Sequence, residues 1–130
     1  MKLYRTGYYK EMMHGEVTDP SIKNYTKYEY CKAEKEAICK YLRSGVVMVA
    51  CGGVVGDVLS KRGELAGCPD MITDGTWFWP GDFPYYVEKY DLQVEAEFMM
   101  HMKLNNYIIN ITAEDIDFDN LELCTLAQDE

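Results

Sequence analysis

The chain has 130 residues, 48% apolar and 27% charged, a size and composition that suit one folded domain and argue against disorder. Its 13 Lys and Arg against 22 Asp and Glu leave a formal charge of -9, which argues against nucleic acid as the partner, because phosphate-binding proteins present a positive face. The longest apolar run, residues 46–51, falls far short of the ~20 residues of a membrane helix.

Taken in chain order, residues 1–30 are rich in Tyr, Gly and Lys and show little periodicity, so a short strand and an irregular wrap are expected there. Residues 1–9 lack the apolar core of a secretory signal, which points to a cytoplasmic protein. Ala33, Ala37, Ile38, Tyr41 and Leu42 recur at helical spacing and predict a helix over 32–44, with Gly45 as its left-handed C′ residue. Residues 46–51 are β-branched and apolar on both faces, the pattern of a buried strand. Val54, Val55, Val58 and Leu59 suggest one or two helical turns, ended by a turn at 61–63.

Asp74-Gly75 between β-forming residues predicts a hairpin with a type I′ turn, whose second arm puts Trp77 and Trp79 on one face and Phe78 on the other. Pro80 ends that arm. Asp82 then caps a helix with Pro84 in its first turn, which carries Tyr85, Tyr86, Val87 and Tyr90 and leaves one of the two adjacent tyrosines exposed. A further helix over 94–104 buries Phe98, Met99, Met102 and Leu104 and stops at Asn105-Asn106. A last strand is expected over 107–111, followed by a capping-box start at Thr112 with Asp115 at its third position. The fold class that follows is α+β: a single domain over 1–130 with a small, mostly antiparallel sheet packed against three or four helices.

No complete catalytic or metal motif is present, and no cofactor is expected. The five cysteines are odd in number and lack CxxC spacing, the pattern of reduced thiols and not of a disulfide framework or zinc knuckle. The glycines after Cys51 match GxGxxG incompletely and read as a tight turn. His101 has Glu97 one turn before it, half of a metal site at most, and reads as a solvent-facing pair. Cys51, with His14 or His101 as a base, is the best-placed thiol for nucleophilic chemistry; its alternative is an inert strand cysteine. Asp70 with Asp74, or Asp115 with Asp117, could form acid/base pairs if buried.

Charge is distributed unevenly. Residues 1–62 carry eleven basic and seven acidic groups, net +4, whereas 63–130 carry two basic and fifteen acidic groups, net -13. The alternation Asp115-Ile116-Asp117-Phe118-Asp119 suggests carboxylates facing solvent opposite an inward apolar row. Such a surface suits docking onto a basic protein. Glu114, Asp115, Asp117, Asp119 and Glu122 are the candidate binding residues, with Tyr107 as an aromatic anchor.

The segments Tyr41-Leu42-Arg43-Ser44-Gly45, Asp57-Val58-Leu59 and Thr73-Asp74-Gly75-Thr76-Trp77-Phe78-Trp79-Pro80, continuing through Asp82 to Tyr85-Tyr86-Val87 and Tyr90, resemble an uncharacterised small bacterial domain with the pattern TDGxWxWPxDxxYYVxxY. The resemblance covers roughly residues 38–101, and Phe83-Pro84 departs from the Leu and small residue expected there. Such domains resemble the immunity proteins found beside polymorphic or contact-dependent toxins. The resemblance implies a non-enzymatic protein that occludes a basic toxin, such as a nuclease. The alternatives are a small enzyme using Cys51 or His101, and a structural or regulatory module that self-associates through its tyrosine-rich first third.

Overall fold

The computed structural model describes residues 1–125. Its strands are β1 (Lys2–Arg5), β2 (Val46–Val49), β3 (Val55–Gly56), β4 (Leu65–Gly67), β5 (Met71–Thr73), β6 (Trp77–Pro80) and β7 (Glu122–Cys124). Its helices are α1 (Lys32–Arg43), α2 (Phe83–Tyr90) and α3 (Ala96–Leu104), with single 3-10 turns at Ile22–Asn24, Ala113–Asp115 and Phe118–Asn120. Five strands form one sheet in the order β2-β5-β6-β1-β7, and β3 pairs with β4 apart from it. β5 runs antiparallel to β2 and β6, whereas β1 runs parallel to β6 and β7. With the antiparallel ribbon counted, antiparallel pairings outnumber parallel ones, and the chain is one α+β unit as expected.

Alternation along β6 divides the interior. Trp77 and Trp79 face the helices, where they meet Ile38, Tyr41 and Leu42 of α1, Phe83 and Val87 of α2, and Phe98 of α3. The Trp79 indole N–H donates to the Leu42 carbonyl at 2.9 Å, so this side chain is both fully buried and satisfied. Phe78 points the other way and packs with Leu3 and Tyr8, flanked by Met48, Met71 and Leu121.

Several local expectations change. Gly45 has no positive φ; a Cβ there would come within 2.4 Å of Ile72 Cγ2 and 2.9 Å of the Thr73 carbonyl. Glycine is required by close packing between α1 and the hairpin, not by a left-handed cap. The strand at 46–51 stops at Val49 and lies at the sheet edge, so Val47 and Val49 are exposed. Residues 54–59 do not form a helix. The Asp57 carboxylate accepts the N–H groups of Leu59 and Ser60, a local turn that competes with helical bonding, and Val55–Gly56 pairs instead with β4.

The hairpin is present but its loop is wider than a two-residue I′ turn. Only Gly75 is left-handed (φ 94), and the Asp74 side chain folds over to accept the N–H groups of Thr76 and Trp77. Asp82 precedes α2 but its carboxylate does not cap it; it bonds His14 instead. Tyr86 is the buried member of the adjacent tyrosines. Leu104 is 76% exposed, off the stripe of Phe98 and Met102. Residues 107–111 are not a strand, because Asn106 and Tyr107 both adopt left-handed backbone (φ 53 and 55) and turn the chain out of α3. The last strand is β7, beside β1. Thr112 does start a turn, with its N–H donating to Asp115 at 2.8 Å.

The tyrosine-rich first third belongs to the fold. Tyr9 is buried in the main core and Tyr8 in the second cluster. The Tyr30 hydroxyl donates to the Leu92 carbonyl at 2.6 Å and accepts the Val94 N–H at 3.1 Å, tying this wrap to the segment between α2 and α3.

Candidate interaction surface

Once α3 ends, the chain has one stretch left to cross the molecule. The turn Ala113–Asp115 packs beside β2, and Glu122 opens β7, so the strap between them links opposite edges of the sheet. Four strand spacings of about 4.8 Å make that distance about 19 Å. Glu114, Asp115, Asp117, Asp119 and Glu122 are all exposed along it. Ile116 is buried and Leu121 packs on the second cluster, so the strap is held by its apolar residues while its carboxylates face out.

No side-chain ion pair among the described residues reaches these carboxylates, although the N-terminal ammonium donates to the Asn120 carbonyl of the strap at 2.8 Å. Among the described residues, the ion pairs of Lys, Arg and His go elsewhere: Arg5 to Asp19, Lys35 to Asp91, Arg43 to Glu88, Lys89 to Glu64 and Asp57, and Lys103 to Glu34. The histidines pair with Asp82 and Asp74. Glu122 stands in register with Lys2 across the β1–β7 ladder. The strap's internal bonds are short-range, with Asn120 donating to Asp117 and the Thr112 N–H to Asp115. A row of unpaired carboxylates projects a field over about a Debye length, ~8 Å at physiological salt.

The aromatic expectation needs correcting. Tyr107 is half-buried and rests against the main core, so its ring is committed to packing. Phe118, assigned by alternation to the inward row, is 52% exposed between Asp117 and Asp119. The reason is local: Phe118–Asn120 forms a 3-10 turn, which breaks the period of two on which the alternation depends. The cluster of Asp and Asn around Phe118, all turn formers, was the available signal.

The motif residues are brought together by packing. Asp57 Oδ2 accepts the hydroxyls of Tyr85 and Tyr90, each at 2.7 Å, while Tyr86 accepts the Val58 N–H at 3.0 Å. Burial opposes ionisation of Asp57, but bonds from Tyr90, Tyr85, Leu59 and Ser60 outweigh it and hold the carboxyl below its ordinary value. Burial first, and then the Asp57 carboxylate, push Tyr90 up to about 12. The same Asp57 anchors the β3–β4 ribbon to α2, reinforced by Lys89, which bridges to Glu64.

His101 does not pair with Glu97. Its Nε2 lies 3.1 Å from Asp74 Oδ2, an oxygen that also accepts the Tyr41 hydroxyl. His14 Nε2 lies 2.9 Å from Asp82 Oδ1. Asp70 holds the Cys51 N–H at 2.8 Å, while Asp74 closes the hairpin loop, so these two aspartates serve separate parts of the backbone. Asp115 and Asp117 are both exposed on the strap. Among the described residues no group of three or more His, Cys, Asp or Glu is placed to hold a metal ion, and no helix is long and apolar enough to cross a membrane.

No protein-family model matches this chain, and neither a curated protein nor a solved structure is similar to it.

Proposed function

We propose that this chain is a non-enzymatic binding protein of the bacterial cytoplasm, an immunity protein that neutralises a basic toxin of the nuclease class by covering it with the 112–122 strap. The observation that carries this reading is the strap itself: five exposed carboxylates, spread across the sheet's width around one exposed phenylalanine. Nuclease sites must attract phosphate and are therefore positive, so an acidic cover gains encounter rate and orientation from complementary fields. Phe118 supplies the desolvated anchor that such a surface needs at its centre, with the aspartates as its polar rim. This chain's motif resembles that of an uncharacterised small bacterial domain, of a kind that resembles immunity proteins, in keeping with this role. Its motif residues serve as architecture: Asp74 forms the loop, Trp77 and Trp79 the core, and Asp57 with Tyr85 and Tyr90 the anchor of the ribbon.

The test is capture of a partner from native lysate at low salt, followed by association kinetics of the purified pair. A basic protein is expected, with an on-rate falling at least about tenfold between roughly 50 and 500 mM salt. Replacing Asp115, Asp117 and Asp119 together by Asn should slow association about as much at low salt. Phe118→Ala should act on dissociation instead, weakening the complex by about 2 kcal/mol, near 30-fold. Association indifferent to both salt and the triple replacement would overturn the proposal.

A further inference from the structure

Each of the chain's two histidines meets a buried aspartate, but the two aspartates differ in what else they bond. Asp74 is satisfied without His101, because the N–H groups of Thr76 and Trp77 and the Tyr41 hydroxyl all donate to it. Asp82, at the start of α2, has a side chain that is 1% exposed, and its Oδ1 lies 2.9 Å from His14 Nε2. Its Oδ2 is buried without a hydrogen bond, and so is Nδ1 of His14. A dry carboxylate with one oxygen unbonded is costly to keep ionised unless a cation stands against it.

The other ionisable groups near this pair do not supply that cation. Tyr8, whose ring lies 5.9 Å from the imidazole, and Tyr86 of α2 are both pushed far above the ordinary tyrosine value by burial, and so stay neutral. Arg5, stacked over Tyr8, is held by both oxygens of Asp19. Asp70 turns its carboxylate to the Cys51 N–H at 2.8 Å, and neither that group nor the Cys51 thiol carries positive charge. The charge on His14 therefore decides how well Asp82 is matched.

His14 also holds a segment with few other ties. It sits in the loop over residues 10–20, which is closed at its base by the Lys10 N–H donating to the Pro20 carbonyl at 3.0 Å. Met12 is buried, but Met13 and Val17 beside His14 are 89% and 94% exposed. The imidazole joins the tip of this loop to α2, 68 residues away in the chain.

We propose that His14 and Asp82 form a pH-sensitive latch, in which the charged imidazole clamps the 10–20 loop onto the start of α2. Histidine is the side chain that changes charge within the physiological range. Once His14 is neutral, Asp82 keeps only an uncharged hydrogen bond, and opening of the loop gives its carboxylate access to water. The clamp is thus strongest on the acid side of neutrality and is lost as pH rises through the point where His14 gives up its proton. The latch lies in the chain alone and needs no partner, so it and the strap reading fail separately.

The test is amide hydrogen exchange of the full chain at Lys10 and Gly15, whose N–H groups are bonded within the loop, with each rate divided by the intrinsic rate at that pH. Protection should fall at least about tenfold between roughly pH 5.5 and 8. His14→Gln keeps a donor but not the charge, so its loop should show low protection that no longer varies with pH. Asp82→Asn removes the demand for a cation and should flatten the profile in the same way. His101→Gln should leave the pH dependence as it is. Protection in the natural chain that is constant or rises with pH would overturn the proposal, as would a His14→Gln profile that still falls or a His101→Gln profile that goes flat.

Discussion

Single carboxylates do much of the organising in this protein, and their neighbours decide what each one does. Asp57 is buried and accepts two tyrosine hydroxyls and two backbone N–H groups, so it belongs to the fold and not to a reactive site. Replacing it with Asn leaves at least one donor unmatched and should cost roughly 2–3 kcal/mol at neutral pH. The pH dependence has a definite sign. The folded carboxyl lies below its ordinary value of 3.8, so its stabilisation is complete above that value and is lost as pH falls through the lower folded value. Denaturant unfolding at several pH values should therefore show a shallower acid-side decline in Asp57→Asn than in the natural chain. An equal slope would mean that the hydroxyl bonds do not favour the charged form.

At the scale of elements, α1, α2 and α3 were readable because each has an apolar stripe or a proline start that needs no distant partner. The 71–80 hairpin was readable for the same reason, since Asp74-Gly75 acts within its own loop. Elements whose state depends on remote contacts were not. Val55–Gly56 becomes a strand because β4 pairs with it. Gly45 shows the difference at one position. Sequence context suggested a cap, whereas its actual constraint comes from Ile72 and Thr73, 27 and 28 residues later in the chain. Gly45→Ala should therefore destabilise by about 1–3 kcal/mol through overpacking, although alanine leaves the unfolded chain less entropy to lose. Thermal unfolding would check this; a stability gain would show that Ile72 and Thr73 give way to the added methyl group.

Across the whole molecule, charge and packing are separated. Among the described residues Arg5, Lys35 and Arg43 of the first half pair with Asp19, Asp91 and Glu88, and no such pair reaches the strap, which keeps its charge for solvent or a partner. Neutralising Asp115, Asp117 and Asp119 should thus change stability by no more than about 0.5 kcal/mol, as exposed sites do, while slowing partner association. A large loss of stability would show that the strap's charges hold the fold. Composition and local pattern were enough to establish an acidic α+β domain, its three helices, its central hairpin and the position of its unpaired negative segment, because propensity, periodicity and charge act between near neighbours. Three-dimensional packing alone set β1 between β6 and β7 and joined Asp57 to Tyr85 and Tyr90. Those outcomes depend on contacts between residues far apart in the chain, whose energies no local window contains.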